Sequence, residues 1–344
     1  MEFITREQVQ DLRQMPDGLR RARILTIAET ITQTPPPYRT CTLREAVQDF
    51  EHLRSFDTET LWSTDTVWTM KSESACSKIG ALQKHHTGVM AADVWQVQER
   101  WRARYIYDPS PWFRWHDKYY MAVLLHGLVM GKDHAVTPSI LRQTVLRMGY
   151  TPSQFPPSAA KAIIEKYKAS VVLDPFAGWG DRLTGFLASS AHTYVAADTN
   201  KGLHFGYKHC QKHYAPDKHV SIRCADSRDP ATWTDAPEVD LIMTSPPYAY
   251  HEQYPYGKTP KCDIAVWADT FLLPVMKQTA GKLRPGGHIV LHMNNVTVRN
   301  KVLFLVPEVL RIMCGLASYQ GCFGLVGQTR KVTHGEPLLV WRKA

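Results

Sequence analysis

From about residue 158 onward, short runs of apolar residues recur at intervals filled by stretches with helical spacing. This is the pattern of buried parallel strands joined by crossover helices. The predicted strands cover 171–174, 194–197, 220–223, 239–243 and 288–292, nearly continuous in apolar side chains and bounded by Gly, Pro, Asp or Asn. Between the fourth and fifth, 264–283 places Val266, Phe271, Leu272, Val275 and Met276 at helical spacing and runs into Arg284-Pro285-Gly286-Gly287, which predicts one helix with a hard stop. A further helix over 306–313 precedes two closing strands at 319–326 and 336–342, an antiparallel hairpin at the sheet edge. Residues 1–150 read differently. Helices are predicted over 6–13, 19–31, 42–53 and 138–148, separated by aromatic-rich irregular stretches and by the stiff triplet Pro35-Pro36-Pro37. The expected organisation is a mainly helical accessory region over 1–150 and an α/β domain with a mostly parallel sheet over 151–344.

Composition changes this picture little. Apolar residues make up 44% and charged residues 21%, the mix of an ordinary globular chain. The apolar runs near 122–130 are interrupted by His126 and predict no membrane span. The opening MEFITREQ has no apolar core region, so no secretory signal is expected and the predicted location is intracellular, in cytoplasm or nucleus. Seven cysteines lie scattered without a CxxC pair, and His85-His86 and the other histidines show no ligand spacing, so neither a disulfide framework nor a metal is predicted. The formal charge of +9 is uneven: 1–150 hold 19 Lys and Arg against 17 Asp and Glu, and 151–344 hold 22 against 15. A basic surface attracts polyanions, but charge alone does not select nucleic acid.

The strongest chemical signal is VVLDPFAGWGDR at 171–182: a buried strand, an acidic residue, a Gly-x-Gly turn and a helix. Asp174, Pro175, Phe176, Ala177, Gly178 and Gly180 would line a ligand lying against this turn, with the helix amino terminus behind it. The GxGxxG spacing of dinucleotide sites is absent. Asp198 ends the next predicted strand, where a carboxylate accepts hydrogen bonds from ribose hydroxyls, and Asp226 follows the third, where one can take an adenine amino group. Three acids after three successive strands, around one glycine turn, describe a nucleoside pocket; each could instead cap the following helix. The fourth strand leads into TSPPYAY. In Ser245-Pro246-Pro247-Tyr248 the two prolines fix the backbone, so the Ser245 hydroxyl and the Pro246 carbonyl can together accept the hydrogens of an exocyclic amine. Gripping them pulls the nitrogen toward tetrahedral geometry and localises its lone pair, which is transition-state complementarity for transfer to nitrogen. Tyr248 would stack on a base swung out of its helix. No cysteine occupies this loop, which argues against carbon-5 pyrimidine chemistry, and Cys224 and Cys262 are read as structural.

Together DPFAGWG, the two later acids and TSPPY resemble the amino-methyltransferases of restriction-modification and phage systems, over about residues 150–344. The resemblance implies S-adenosylmethionine as cofactor, DNA as substrate with RNA as an alternative, and N4-cytosine or N6-adenine as product, Ser at the head of the tetrapeptide leaning toward cytosine. It implies a Rossmann-like, seven-stranded, mostly parallel sheet. TPSQFPPSAAKAII at 151–164 is similar to the family's segment that folds over the cofactor's methionine end, which makes Gln154 and Phe155 contacts. A related loop in protein-glutamine methyltransferases begins with Asn instead. Target recognition would fall to 1–150 or to the insert at 249–263. A protein that has kept the fold without catalysis is the alternative from another class.

The stretch 95–120 holds nine aromatics and five Lys or Arg against three acids. Interleaved rings and cations suit stacking and phosphate contact, with Arg100, Arg102, Arg104 and Arg114 as candidates, and they equally suit a packed core. Residues 137–149 could enter a groove or pack as an ordinary helix.

Overall fold

In a computed structural model all residues are described except 1, 39–40, 71–75, 106–107, 132–134, 150–151, 250–251, 255–256, 259–262, 299 and 328–332. The chain forms two compact units, Met1–Thr40 with Val97–Ser153, and Cys41–Gln96 with Gln154–Ala344. Residues 41–96 therefore fold with the sheet, whereas the sequence pattern grouped them with the helical region.

The first unit is helical, with helices Arg6–Gln14, Asp17–Thr32, Val97–Arg102, Pro111–His116, Lys118–Gly131 and Pro138–Arg147. Ile24, Trp101, Trp115, Leu125, Leu141 and Val145 share its core. Thr137 caps the last helix by accepting from the Ile140 amide at 3.2 Å, and that helix buries Leu141 and Val145 as a packed element.

The second unit is built on a ten-stranded sheet. Its strands are β1 (Trp62–Ser63), β2 (Trp68–Thr69), β3 (Lys78–Gln83), β4 (Val171–Asp174), β5 (Thr193–Ala197), β6 (His219–Arg223), β7 (Val239–Thr244), β8 (Leu283–His292), β9 (Ser318–Val326) and β10 (Thr333–Arg342). The order across the sheet is β1-β3-β9-β10-β8-β7-β4-β5-β6, with β2 beside β10. Strands β8, β7, β4, β5 and β6 are mutually parallel, while β10 runs antiparallel to both β8 and β9. This is the expected Rossmann-like sheet with its antiparallel terminal pair, extended beyond seven strands because β3 pairs in parallel with β9 and β1 adds to β3. Strand order reverses between β4 and β7, and in an open α/β sheet ligands bind outside the carboxyl ends at such a point.

The longer helices described in this unit are α1 (Leu43–Ser55), α2 (Pro157–Lys166), α3 (Asp181–Ala188), α4 (His204–Tyr214), α5 (Leu273–Gly281) and α6 (Leu305–Met313). All eight residues of α3 are buried, and a Cβ on Gly185 would lie 2.5 Å from the Pro157 carbonyl and 2.6 Å from the Ala160 methyl. Only glycine lets α2 and α3 approach this closely. Buried Lys161 on α2 donates to the Leu53, Arg54 and Phe56 carbonyls at 3.0, 2.8 and 2.8 Å and so closes the carboxyl end of α1. Trp233, Trp267, Leu272, Met276 and Trp341 belong to a core cluster of the same unit.

Two expected elements differ in form. The helix over 264–283 is a short helix Ile264–Trp267, a π turn Ala268–Leu272 and then α5. Pro274, which has no amide hydrogen to donate, sits in the first turn of α5, and the wider turn before it absorbs the missing bond. Arg284-Pro285-Gly286-Gly287 is an irregularity inside β8 rather than a stop before it, since the register against β7 shifts between Leu283 and His288.

Candidate active site

The glycine turn leaves β4 at Asp174 and the Ser-Pro-Pro-Tyr loop leaves β7 at Thr244. These strands are paired in parallel neighbours, with Leu173 opposite Ile242, so both loops emerge from the same end of the sheet. The Thr244 hydroxyl donates to Asp174 Oδ1 at 2.7 Å, tying the roots of the two loops together.

Asp174 is fully buried and saturated. Arg182 Nε donates to it at 2.7 Å, the Tyr194 hydroxyl at 2.7 Å and the Phe176 amide at 3.2 Å, beside Thr244. Its carboxylate is used up inside the protein, a correction to its expected place against a ligand: it anchors the turn instead. Arg182 in return has 7% side-chain exposure. Burial alone would lower its pKa, and Asp174 together with Tyr194 and Asp181 outweighs that and raises it.

The turn itself is held at nearly every residue. Ser227 donates to the Pro175 carbonyl, Arg182 to the Phe176 carbonyl and Tyr207 to the Gly178 carbonyl, while the Ala177 amide donates to the Ala197 carbonyl at 3.0 Å. Gly178 and Gly180 have φ of +60° and +81°. A Cβ on either would meet nothing nearer than 3.6 Å, so the requirement for glycine here is the left-handed backbone rather than crowding. Gly180 then caps α3. Gln154 Nε2 donates to Asp181 Oδ1 at 3.1 Å, and buried Phe155 lies under the Arg182 guanidinium at 5.8 Å, so both sit beside the turn. Phe176 stacks on Phe271 with centroids 5.6 Å apart.

Asp198 is half-buried at the carboxyl end of β5, and each of its oxygens accepts one backbone amide, Gly178 at 2.8 Å and Asn200 at 2.8 Å. Each oxygen keeps a further acceptor position. Burial pushes its pKa up to about 6, against the lowering by those two amides. Asp226 is different. It accepts from Arg228 Nε at 3.1 Å and Nη2 at 2.6 Å and from the Arg228 amide at 2.9 Å, and this hydrogen bonding holds its carboxyl below the usual range. The two side chains are 46% and 43% exposed, so the pair is worth about 0–1 kcal/mol and opens readily.

On the other loop Pro246 is buried and Ser245, Pro247 and Tyr248 are half-buried. The Asn294 amide donates to the Tyr248 hydroxyl at 3.0 Å. Ser245 Oγ lies 3.3 Å from His292 Nδ1, and the Phe155 ring meets His292 edge-on with centroids 5.5 Å apart. Neighbouring side chains thus lead from Ser245 through His292, Phe155 and Arg182 to Asp174, which places the roots of the two loops side by side. The insert at 249–263, including Cys262, lies largely outside the described residues.

The basic candidates belong to the first unit. Arg114 is 1% exposed and donates to the Val145 carbonyl at 3.0 Å, which makes it a core residue and corrects its assignment to phosphate. Arg102 is exposed and paired with Glu99; Arg104 is exposed and Arg100 half-buried. Trp101 and Trp115 are core, while Trp112, Phe113, Tyr119 and Tyr120 are exposed, so the stretch 95–120 divides between the two readings.

Sequence reasoning missed Tyr194, Tyr207, Ser227, Thr244, His292 and Glu336. Thr244 and His292 stand beside predicted strand ends, which is a usable signal; the others are recruited from distant segments.

No protein-family model matches the chain, and no curated protein matches it. Among solved structures, TrmN from Thermus thermophilus is similar at 19% identity and a TM-score of 0.39, over 55% of this chain and 49% of that one. TehB from Haemophilus influenzae gives 10% and 0.38, over 54% and 61%. The N-methyltransferase NodS from Bradyrhizobium japonicum WM9, in complex with S-adenosyl-l-homocysteine, gives 14% and 0.37, over 53% and 85%. The chain thus spans about half of TrmN and under two thirds of TehB, and likenesses of this degree carry no functional argument. Among the described residues no helix is long and apolar enough to cross a membrane.

Proposed function

We propose that this protein is an S-adenosylmethionine-dependent methyltransferase acting on an exocyclic amino group of a nucleobase in DNA, with cytosine N4 the favoured atom. One observation carries the reading: the glycine turn and the Ser245 loop leave the same end of hydrogen-bonded neighbouring strands at the point where strand order reverses. The residues present suit the nucleoside end of that cofactor. Asp198 has acceptor positions left for ribose hydroxyls, and Asp226 can take the adenine amino group at the modest cost of opening its exposed pair with Arg228. Asp174, Arg182, Tyr207 and Ser227 hold the turn in shape, and Gln154, Phe155 and Phe176 flank it.

When bound, S-adenosylmethionine supplies an electrophilic methyl group on a sulfonium. The chain's own contribution is positioning and electrostatics. Ser245 Oγ and the Pro246 carbonyl accept the two hydrogens of the target amine and localise its lone pair, while Tyr248, anchored through its hydroxyl by the Asn294 amide, offers its ring to the base. Arg100, Arg102 and Arg104 remain the candidates for phosphate contact.

Incubation with methyl-labelled S-adenosylmethionine and separate duplex DNA and RNA, followed by nucleoside mass spectrometry, tests this. The expected product is N4-methylcytosine in DNA. N6-methyladenine would change the base, label confined to RNA would change the substrate, and no methylated amino group in either would overturn the proposal.

A further inference from the structure

Ser245 does not stand alone. Its Oγ lies 3.3 Å from His292 Nδ1 at the end of β8. On the other side of the ring, His292 Nε2 lies 3.3 Å from Glu336 Oε2 on β10, close enough for charge contact though off the line of a good hydrogen bond. Lys84, following β3, donates to the same Glu336 oxygen at 2.8 Å. The His292 side chain is 14% exposed, and the Phe155 ring edge fixes its plane. Four side chains from four strand ends, spread from residue 84 to residue 336, form one line that ends on the hydroxyl assigned to the target amine. Glu336 faces the imidazole and Lys84 pairs with Glu336, while Arg182 stands over the Phe155 ring.

We propose that His292 is a positioning residue that makes Ser245 a pure acceptor, with Glu336 and Lys84 setting its tautomer. The inference rests on the amino-methylation reading above. A serine hydroxyl is both donor and acceptor, and a target amine offers only hydrogens while its lone pair must stay free for the methyl group. A carboxylate facing Nε2 favours the Nε2–H tautomer of a neutral imidazole. Nδ1 is then bare and takes the Ser245 O–H, which turns both Oγ lone pairs toward the amine. Proton release follows the same line: the N–H bond of the methylated ammonium breaks with its electron pair staying on nitrogen. Oγ takes that proton as its own passes to Nδ1, leaving a neutral methylamine and an imidazolium beside Glu336. Burial alone would raise the Glu336 carboxyl, yet Lys84 and His292, the latter when the ring carries the proton, outweigh it and bring it down to about 2, so it stays ionised beside the imidazolium.

Nitrogen-15 NMR of the histidines in the intact protein reads the tautomer without any turnover. The expected result is an Nε2–H form for His292 that shifts on Glu336→Gln and on Ser245→Ala. Single-turnover methylation of DNA gives the second readout: His292→Gln is expected to slow the step on the order of 10²-fold, with methyl-donor affinity within about twofold. Glu336→Gln should show a smaller change in the same direction, and the Ser245→Ala and His292→Gln losses should not add. An Nδ1–H ring, or resonances indifferent to Glu336→Gln, overturns the inference whether or not the protein methylates anything. An active wild type whose His292→Gln variant keeps the single-turnover rate also overturns it and leaves the proposed function standing. A wild type inactive on DNA and RNA sinks the function and with it the role of Ser245 toward an amine, whatever tautomer the ring shows.

Discussion

Asp174 and Asp198 occupy equivalent places, each at the carboxyl end of a parallel strand, yet their surroundings give them opposite tasks. Four donors consume Asp174 and make it the anchor of the glycine turn, whereas Asp198 meets two amides and keeps capacity for a ligand. The raised pKa of Asp198, about 6, sets a testable pH dependence. A ribose hydroxyl donates to the ionised carboxylate, so S-adenosylmethionine affinity should fall as pH drops through 6, by about tenfold between pH 7 and pH 5 on simple titration. Calorimetric titration checks it, and Asp198→Asn should bind weakly with that pH dependence gone. The stability signs of two acids oppose each other. Asp198, with its pKa raised, holds its proton in the folded state above the ordinary carboxylate range, so its contribution is lost as pH rises toward 6. Glu336, with its pKa lowered to about 2, contributes above the ordinary range and loses that contribution as pH falls toward 2. Strand-end placement was legible from the apolar runs; whether a carboxylate was free or spent was not, because its partners Tyr194 and Thr244 lie 20 and 70 residues away.

Helix α2 shows what an element can and cannot announce. Its apolar periodicity is plain in PSAAKAII, but Lys161 in the middle reads as a solvated break in that pattern. The structure buries it to close α1, where it donates to three backbone carbonyls, of which that of Leu53 also accepts the Phe56 amide. Lys161→Met keeps the volume and removes those donors. Leaving carbonyls unsatisfied costs about 1–3 kcal/mol for each fully buried group, so the variant should unfold at a lower urea midpoint with an unchanged m-value. The same logic explains the altered forms of two other elements. The run 264–283 keeps its apolar face through a π turn just before Pro274, and Pro285 sits in the irregular part of β8, where the ladder against β7 is interrupted. Hydrophobic spacing locates such elements well; local backbone devices inside them follow from the neighbours they must pair with.

The molecule divides its sequence differently from its pattern. Residues 41–96 look like a continuation of the helical half, and the sheet claims them: β3 pairs with β9, β1 with β3 and β2 with β10, while α1 is closed by α2. A fragment of 151–344, cut where composition suggests a domain, would expose the edge of β9 and lack Trp68, whose ring packs so closely on Gly324 that a Cβ there would lie 2.3 Å from it. Such a fragment should aggregate or fail to give a cooperative thermal transition by circular dichroism, whereas the full chain should unfold cooperatively. A fragment that melts as sharply as the whole would show β1, β2 and β3 to be dispensable.

By itself the sequence determined the order of the sheet elements, the glycine turn, the proline-rigid loop and the acids that follow successive strands. All of these follow from periodicities and backbone restrictions that act within a few residues. Only the tertiary structure decided that Asp174 is an anchor, that Arg114 is core, that 41–96 completes the sheet and that His292, Glu336 and Lys84 meet behind Ser245. Those pairings join residues up to 252 positions apart, and the chain's return to them is set by strand order and shared burial, which no local pattern encodes.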